Sequence, residues 1–567
     1  MKKIENLILM CFFTVMMIIL FSCITGPTVP EDDSITDINL KTGEVAWCGP
    51  PQKEFGAVDF PTSCTDKVKK DFNMGLALLH SFEYDAAEKV FAEIIKKEPD
   101  CAMAYWGVAM SNYHPLWAPP SQAELLKGAK SIAIAQGLTK KTRRESEYID
   151  AIGVFYKDWK ETDHKTRCIA FEKAMEKIYL NHLEDKEAAI FYALSLDASA
   201  DPTDKTFKNQ KKAFRILTSL YPGKPDHPGI VHYIIHSYDY PELAALALPA
   251  ARKYAAIAPS SAHAQHMPSH IFTRLGLWDE NIKSNLAATS SAKCYAENAG
   301  IKGHWDEELH GMDYLVYSYL QKGDNKLAKT QLDYLKTINE VSPVNFKVAY
   351  AYAAIPSRYL LENKNWAEAS NLKLQPSAFP WNKFPWQKAI VHFTRILGLA
   401  NTNNLTAAKS ELKHLSTIVD TLTKRGEVYQ AGQVKNQLTS AEAWILFKEG
   451  KNDPALKLMK LAAEMEDRTE KHPVTPGEVL PARELLGEML LQMKMPAEAL
   501  IAFEANLKKH PNRFNGLYGA AMAAEKSKNS AKSRIYFRKL TSIADPVNSD
   551  RPEVLTAIVA LKKGPNK

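Results

Sequence analysis

From about Asp66 onward, apolar residues recur three and four places apart and strand-like alternation is scarce, a pattern that predicts helices almost throughout. A 34-residue period is laid over that pattern near its start, carried by Met74-Gly75, Ala87, Phe91 and Pro99. In such a unit a small residue lets two helices approach closely and a proline ends the repeat. Leu486-Gly487, Ala499, Phe503 and Pro511 reproduce the same relative spacing near the other end. Looser units fall at Val108-Ala109, Ile234 to Pro259, Gly323 to Ala328, Trp366 to Ala369 and Ala443 to Ala455. Two segments, about 120–220 and 370–385, leave the period and are expected as helical insertions or loops, with Pro376, Pro380 and Pro385 breaking the second. The expected fold is all-α: a superhelix of stacked helix pairs (an α-solenoid) with helical insertions and an extended concave surface.

The first residues read differently. Lys2 and Lys3 precede an apolar run from Leu7 to Phe21, broken only by Thr14. A spanning helix needs about 20 residues, so this shorter run predicts a signal peptide. It ends in Leu20-Phe21-Ser22-Cys23, which resembles the bacterial lipobox, and the resemblance implies lipidation of Cys23. Several acyl chains would then hold the protein stably on a membrane. The expected address is the bacterial cell envelope, lipid-anchored at the outer membrane, with the folded part outside the cytoplasm. The expected segments are 1–22 signal peptide, 23–65 tether and N-terminal segment, 66–119 first repeats, and 120–224 irregular helical segment. They continue with 225–340 histidine-rich central repeats, 341–435 repeats with a proline-rich break, and 436–567 last repeats.

Composition narrows the class. With 567 residues, 46% hydrophobic and 24% charged, the chain has the balance of a folded protein of several domains or one long array. A net charge of +7 over this length, without a dense Lys/Arg stripe, excludes a nucleic-acid partner. Seven cysteines exclude a disulfide-built scaffold. Cys48 and Cys64, both ahead of the first repeat, are the expected disulfide in an oxidising compartment.

The spacing of Gly75, Ala87, Phe91 and Pro99 fits the tetratricopeptide (TPR) pattern. Beyond it, the chain resembles a large group of functionally uncharacterised bacterial TPR lipoproteins. The residues carrying this are Phe72 to Leu76, Cys101 to Gly107, His266-Met267-Pro268-Ser269-His270-Ile271-Phe272, Asp313-Tyr314-Leu315 and Pro511-Asn512-Arg513. The resemblance implies the repeat fold and the anchor, and supplies no activity. Motifs of lipid-anchored glycan-binding transporter partners are missing.

Familiar enzyme signatures are also missing: no G-x-x-x-x-G-K-[ST], G-x-S-x-G, C-x-x-C or H-E-x-x-H occurs. What stands out is histidine. Eight of sixteen lie between His227 and His310. His232 and His236 share one helix face, and His266 and His270 repeat that pair 34 residues later. In repeat register, the groove-lining places hold His232 and His236 in one unit, His263, His266 and His270 in the next, and His310, Asp313 and Tyr317 in the third. With helix axes about 8–10 Å apart, imidazoles from neighbouring helices could converge on one transition metal such as zinc, copper, iron or manganese. His232, His236, His263, His266, His270, His310 and Asp313 are the candidate ligands. Two other uses compete: a buried hydrogen-bond network, and contact with a bound peptide. Pro268 implies that a helix begins or kinks there, and Pro228 suits a first turn with Asp226 as cap. Glu484 and Glu488, four apart at groove places, read as solvated acids, and Trp106 reads as core. The leading expectation is a lipid-anchored repeat protein taking a protein or peptide in its groove, with no known catalytic motif; the alternative is a metal-binding protein or metalloenzyme built on the histidines.

Overall fold

The computed structural model describes residues 29–30, 32–46, 48–49, 54–116, 119–544 and 549–562. The apolar run to Phe21 and the expected lipid-bearing Cys23 lie outside the described residues. Among the described residues, no helix is long and apolar enough to cross a membrane. The chain divides into two units. One runs up to Val45 and continues as Val58–Asn209; the other joins Ala46–Ala57 to Gln210–Lys567.

In the first unit, α1 (Asp66–His80), α2 (Tyr84–Lys97) and α3 (Ala102–Ser111) form the opening repeat. Its register follows from one ring. Phe91 on α2 sits between Gly75 of α1 and Gly107 of α3, where an added Cβ would stand 2.8 and 2.5 Å from ring carbons. A methyl there would overlap the ring, so both positions require glycine for the helices to close. Trp106 is 1% exposed and lies stacked on Phe60 at 5.9 Å, with Tyr148 and Phe191 edge-on, which makes it core. Paired helices continue through the stretch that leaves the period, among them Gln122–Gly137, Arg143–Tyr156, His164–Asn181 and Lys186–Ser199.

The second unit carries α4 (Pro228–Ser237), α5 (Ala244–Ile257), α6 (Ala262–His266), α7 (Pro268–Leu275), α8 (Trp278–Asn298), α9 (Asp306–Gln321) and α10 (Phe346–Glu362). Further on come α11 (Asn452–Asp467), α12 (Ala482–Gln492), α13 (Pro496–Lys509) and α14 (Phe514–Lys526). A two-residue parallel pairing of β1 (His304–Trp305) with β2 (Val341–Ser342) is the one sheet among the described residues. The ring-between-glycines arrangement recurs here. Phe503 on α13 fills the gap between Gly487 of α12 and Gly519 of α14, at 2.7 and 2.4 Å from an added Cβ. The fold is thus an all-α helical repeat.

Three expectations need correction. The cysteines are oxidised with other partners: Cys48 bonds Cys294, and Cys64 bonds Cys101. Cys64 and Cys101 stand just ahead of α1 and α3, which the Phe91 packing brings side by side. Cys48 belongs to the Ala46–Ala57 segment of the second unit, which is tied there by Glu54 N–H donating to Ser260 Oγ at 3.0 Å and Ala57 N–H donating to the Asp226 carbonyl at 2.9 Å. Pro228 does open α4, yet the residue at its cap is His227, and no side chain caps it. Glu484 is not solvated. It is fully buried against Arg513, whose guanidinium donates to both its oxygens at 2.9 and 3.0 Å and to Glu362 at 2.6 Å. Glu488 pairs with Lys364 at 2.8 Å.

Candidate metal centre

The candidate histidines come from three places in the second unit. His232 and His236 lie one turn apart on α4. The α6–α7 pair supplies His263, His266 and His270, and Pro268 opens α7 where the chain would otherwise continue as one helix. His310 projects from α9. The structure brings all six together as two triads rather than one site. His232, His236 and His263 form the first; His266, His270 and His310 form the second. Within each, one ligand atom per residue lies within 4.8 Å of the others.

In the second triad the protons of His266 and His270 can be assigned. Asn285 Nδ2 donates to the Asn281 carbonyl at 3.0 Å and to Asn281 Oδ1 at 2.8 Å, so Asn285 turns its own Oδ1, an acceptor, toward His266. His266 Nδ1 donates to that oxygen at 2.7 Å. His270 Nδ1 lies 3.2 Å from the Asp239 carboxylate and donates to it. Both Nε2 atoms are therefore left with lone pairs, and they face each other at 3.1 Å. The His310 ring stands 4.2 Å from that of His266, centroid to centroid. All three residues are buried.

In the first triad, His232 Nε2 is 2.9 Å from His236 Nε2 and 3.2 Å from His263 Nε2. Tyr254 stacks on His232 at 4.9 Å. His232 is buried, whereas His236 and His263 are half-buried. Burial first, and the charge of neighbouring imidazoles second, holds His236, His263, His266 and His310 well below the usual imidazole range. Burial also lowers His270, with Asp239 working against it. Burial thus favours the neutral form of these five imidazoles, the form that ligates a metal.

Asp313 is not with the histidines. Its carboxylate lies 3.3 Å from the Arg358 guanidinium, and burial pushes it up to about 6 with Arg358 opposing. Asp239, unremarked in the sequence, takes the more central role. It follows His236 by three residues and accepts from Arg274 Nε at 2.8 Å and Lys471 Nζ at 3.0 Å as well as from His270. Burial alone would raise Asp239, but Lys471 and Arg274 hold it well below the carboxylate range. Burial draws Lys471 down to about 8 against the pull of Asp239. Asn285 was likewise unremarked. The spacing of Asp239 from His236 was a usable signal; nothing local marks Lys471.

Residues 468–481, the irregular stretch between α11 and α12, lie against α9 and α10. Tyr314 hydroxyl donates to the Val474 carbonyl at 3.1 Å and Tyr350 hydroxyl to the Gly477 carbonyl at 3.2 Å. Arg358 donates to the Gly477 and Glu478 carbonyls at 2.7 and 2.8 Å. These faces are occupied by the protein's own backbone.

Fold and site together define an all-α helical-repeat protein with a buried polyhistidine centre. No family model matches the chain, and no curated protein matches it. Among solved structures, it is similar to yeast Tom70 at 12% identity over 87% of this chain and 95% of that one, with a TM-score of 0.31. Similarity to the APC/C hetero-tetramer Cut9-Hcn1 is 12% identity over 88% and 96%, with a TM-score of 0.24. For the P58(IPK) TPR domain the values are 14%, 67% and 98%, and 0.19. Likeness at these scores carries no argument about function, and the repeat assignment stands on the glycine–phenylalanine packing.

Proposed function

We propose that the central repeats bind a transition-metal ion through His266, His270 and His310. One observation carries this reading: two Nε2 lone pairs, each fixed by a proton pinned on Nδ1, face each other at 3.1 Å. Facing lone pairs repel, and a cation between them removes the repulsion. Two ligands of a tetrahedral ion with metal–nitrogen bonds of 2.0–2.1 Å lie about 3.3 Å apart, close to the observed separation. Asn285 and Asp239 stand where outer partners orient ligating imidazoles. An all-imidazole set suits zinc or copper, and its lack of carboxylate ligands disfavours magnesium and calcium. The test is elemental analysis and calorimetry with zinc and with copper on the purified protein. At least one tightly held equivalent is expected, and the His266→Ala/His270→Ala protein loses it; no bound metal in the parent protein overturns the reading.

A protein partner is the second reading, supported by the way α9 and α10 hold residues 474–478 through side-chain donors to backbone carbonyls. The same donors would take an extended peptide. A labelled synthetic peptide of residues 469–480 gives rising anisotropy with the protein if this segment is displaceable; no change would leave these contacts as an internal joint. The anchor belongs to the proposal too. Leu20 to Cys23 after the apolar run, together with two disulfides that suit an oxidising compartment, supports a lipid-anchored envelope protein. Cys23→Ala then releases it from membranes, and continued lipid labelling of that variant contradicts the anchor.

A further inference from the structure

We infer that the first triad, His232, His236 and His263, holds a second transition-metal ion, zinc or copper, whose fourth position is open to water or a small anion. The inference rests on the proposed function of the second triad and extends it to a two-ion centre.

Three Nε2 atoms converge here, with His232 in the middle at 2.9 and 3.2 Å from the other two. An imidazole Nε2 offers one proton or one in-plane lone pair. A purely hydrogen-bonded triad would need the two outer rings to share either the single Nε2 proton or the single Nε2 lone pair of His232. One ion accepts a lone pair from each ring, and both separations lie a little below the about 3.3 Å expected for ligands of one tetrahedral ion. The donor atoms come from α4 and α6, and His232 is buried on α4 with its ring stacked on Tyr254 of α5. The ring of His263 is edge-on to that of His232, with centroids 5.1 Å apart.

The two triads differ in access. His266, His270 and His310 are all buried, whereas His236 and His263 are half-buried. Three protein ligands with a solvent-reaching side are the arrangement of an ion that keeps an exchangeable fourth ligand. The triads also share supports. The α6–α7 segment contributes to both, and Asp239, just beyond α4, holds His270. Loading one site therefore stiffens elements of the other. The class of ligand at the open position is an oxygen or nitrogen donor small enough to reach it, such as water, hydroxide or azide.

The experiment uses the full mature chain, stripped with chelator, reloaded with cobalt(II) and desalted. Two equivalents per chain are expected in the parent protein, one in His263→Gln and one in His270→Gln. Azide added to the cobalt-loaded His270→Gln protein, which retains the first triad, shifts the visible bands, whereas the His263→Gln protein does not respond. One equivalent in both the parent protein and His263→Gln overturns the second ion while leaving the buried site standing. No cobalt in the parent protein overturns both. Two equivalents in the parent protein with no azide response in His270→Gln overturns the open position. The parent stoichiometry decides the ion count even if a variant fails to fold.

Discussion

Replacing Asp239 by Asn tests how the centre is held. The carboxylate accepts from Arg274 at 2.8 Å, Lys471 at 3.0 Å and His270 at 3.2 Å, and all four side chains are nearly buried. Asn keeps the shape and removes the charge, leaving two cations without their main counter-ion. Breaking a buried pair by removing one partner costs about 3–5 kcal/mol. Two features place this case at the lower end. Glu470 lies 3.9 Å from Arg274 and retains some attraction, and Lys471, already drawn down to about 8 by burial against Asp239, loses its proton more readily in the variant. The expected loss is about 3 kcal/mol. The second unit has about 370 residues, and at roughly 2.1 cal/mol/K per residue that loss lowers Tm by about 4 °C. His270 also loses the acceptor that orients it, so metal affinity falls about 10- to 100-fold. Calorimetry, thermal and titration, reads both. Asp313→Asn is the control, since it breaks the pair with Arg358 and touches no triad histidine. It lowers Tm without changing metal affinity. A Tm change below about 1 °C for Asp239→Asn, or an equal loss of metal affinity in Asp313→Asn, would refute the reasoning.

Gly519→Ala puts a Cβ 2.4 Å from the Phe503 ring and costs about 1–3 kcal/mol in denaturant titration, whereas Gly432→Ala, in a helix with no atom within 4 Å, gains about 0.5–1 kcal/mol from helix propensity; equal effects would contradict the packing account. Reducing the Cys64–Cys101 bond by replacing both with Ser opens a loop of 37 residues and costs about 4 kcal/mol in the chain-entropy model, read by the same titration; unchanged stability of the first unit would contradict it. Burial works to raise Glu124, but His114 and the capping box with Ser121 bring it down to about 2. A depressed carboxylate stabilises above its ordinary pKa of about 4.3 and loses that contribution as pH falls toward 2. The stability gap between the parent protein and Glu124→Gln should then narrow as pH falls from about 5 toward 2; a gap unchanged over that range would contradict the pairing.

The repeat was legible because its determinants are local. Gly75, Ala87 and Phe91 announce their packing by spacing alone, as do Gly487, Ala499 and Phe503, whereas Gly107 and Gly519, which close the other side of each ring, are seen only in the structure. Pro268 was legible as the start of α7 for the same reason, and the four-residue spacing of His232/His236 and His266/His270 placed each pair on one face. Their sorting into two triads was not legible. It depends on how α6 and α7 turn about Met267, where a five-residue helix hands over to the next. Lys471 reaches Asp239 from 232 positions away, and Cys294 meets Cys48 across 246; no period links such residues. Glu484 read as solvated because Arg513, which neutralises it, lies on a different repeat. The occupied faces of α9 and α10 were hidden in the same way, since the stretch between α11 and α12 looks like an ordinary connection until its carbonyls are seen against Tyr314, Tyr350 and Arg358.

The central claim is that the facing imidazoles exist to share a cation. Anomalous diffraction at the metal edge, from crystals of the zinc- or copper-loaded protein, tests it most directly. The account predicts a peak at about 2.0–2.1 Å from Nε2 of His266, Nε2 of His270 and one ring nitrogen of His310, with Asn285 and Asp239 still accepting from the two Nδ1 atoms. An empty map at that position under saturating metal, with the two Nε2 atoms still about 3 Å apart, would contradict it and leave the histidines as a structural network.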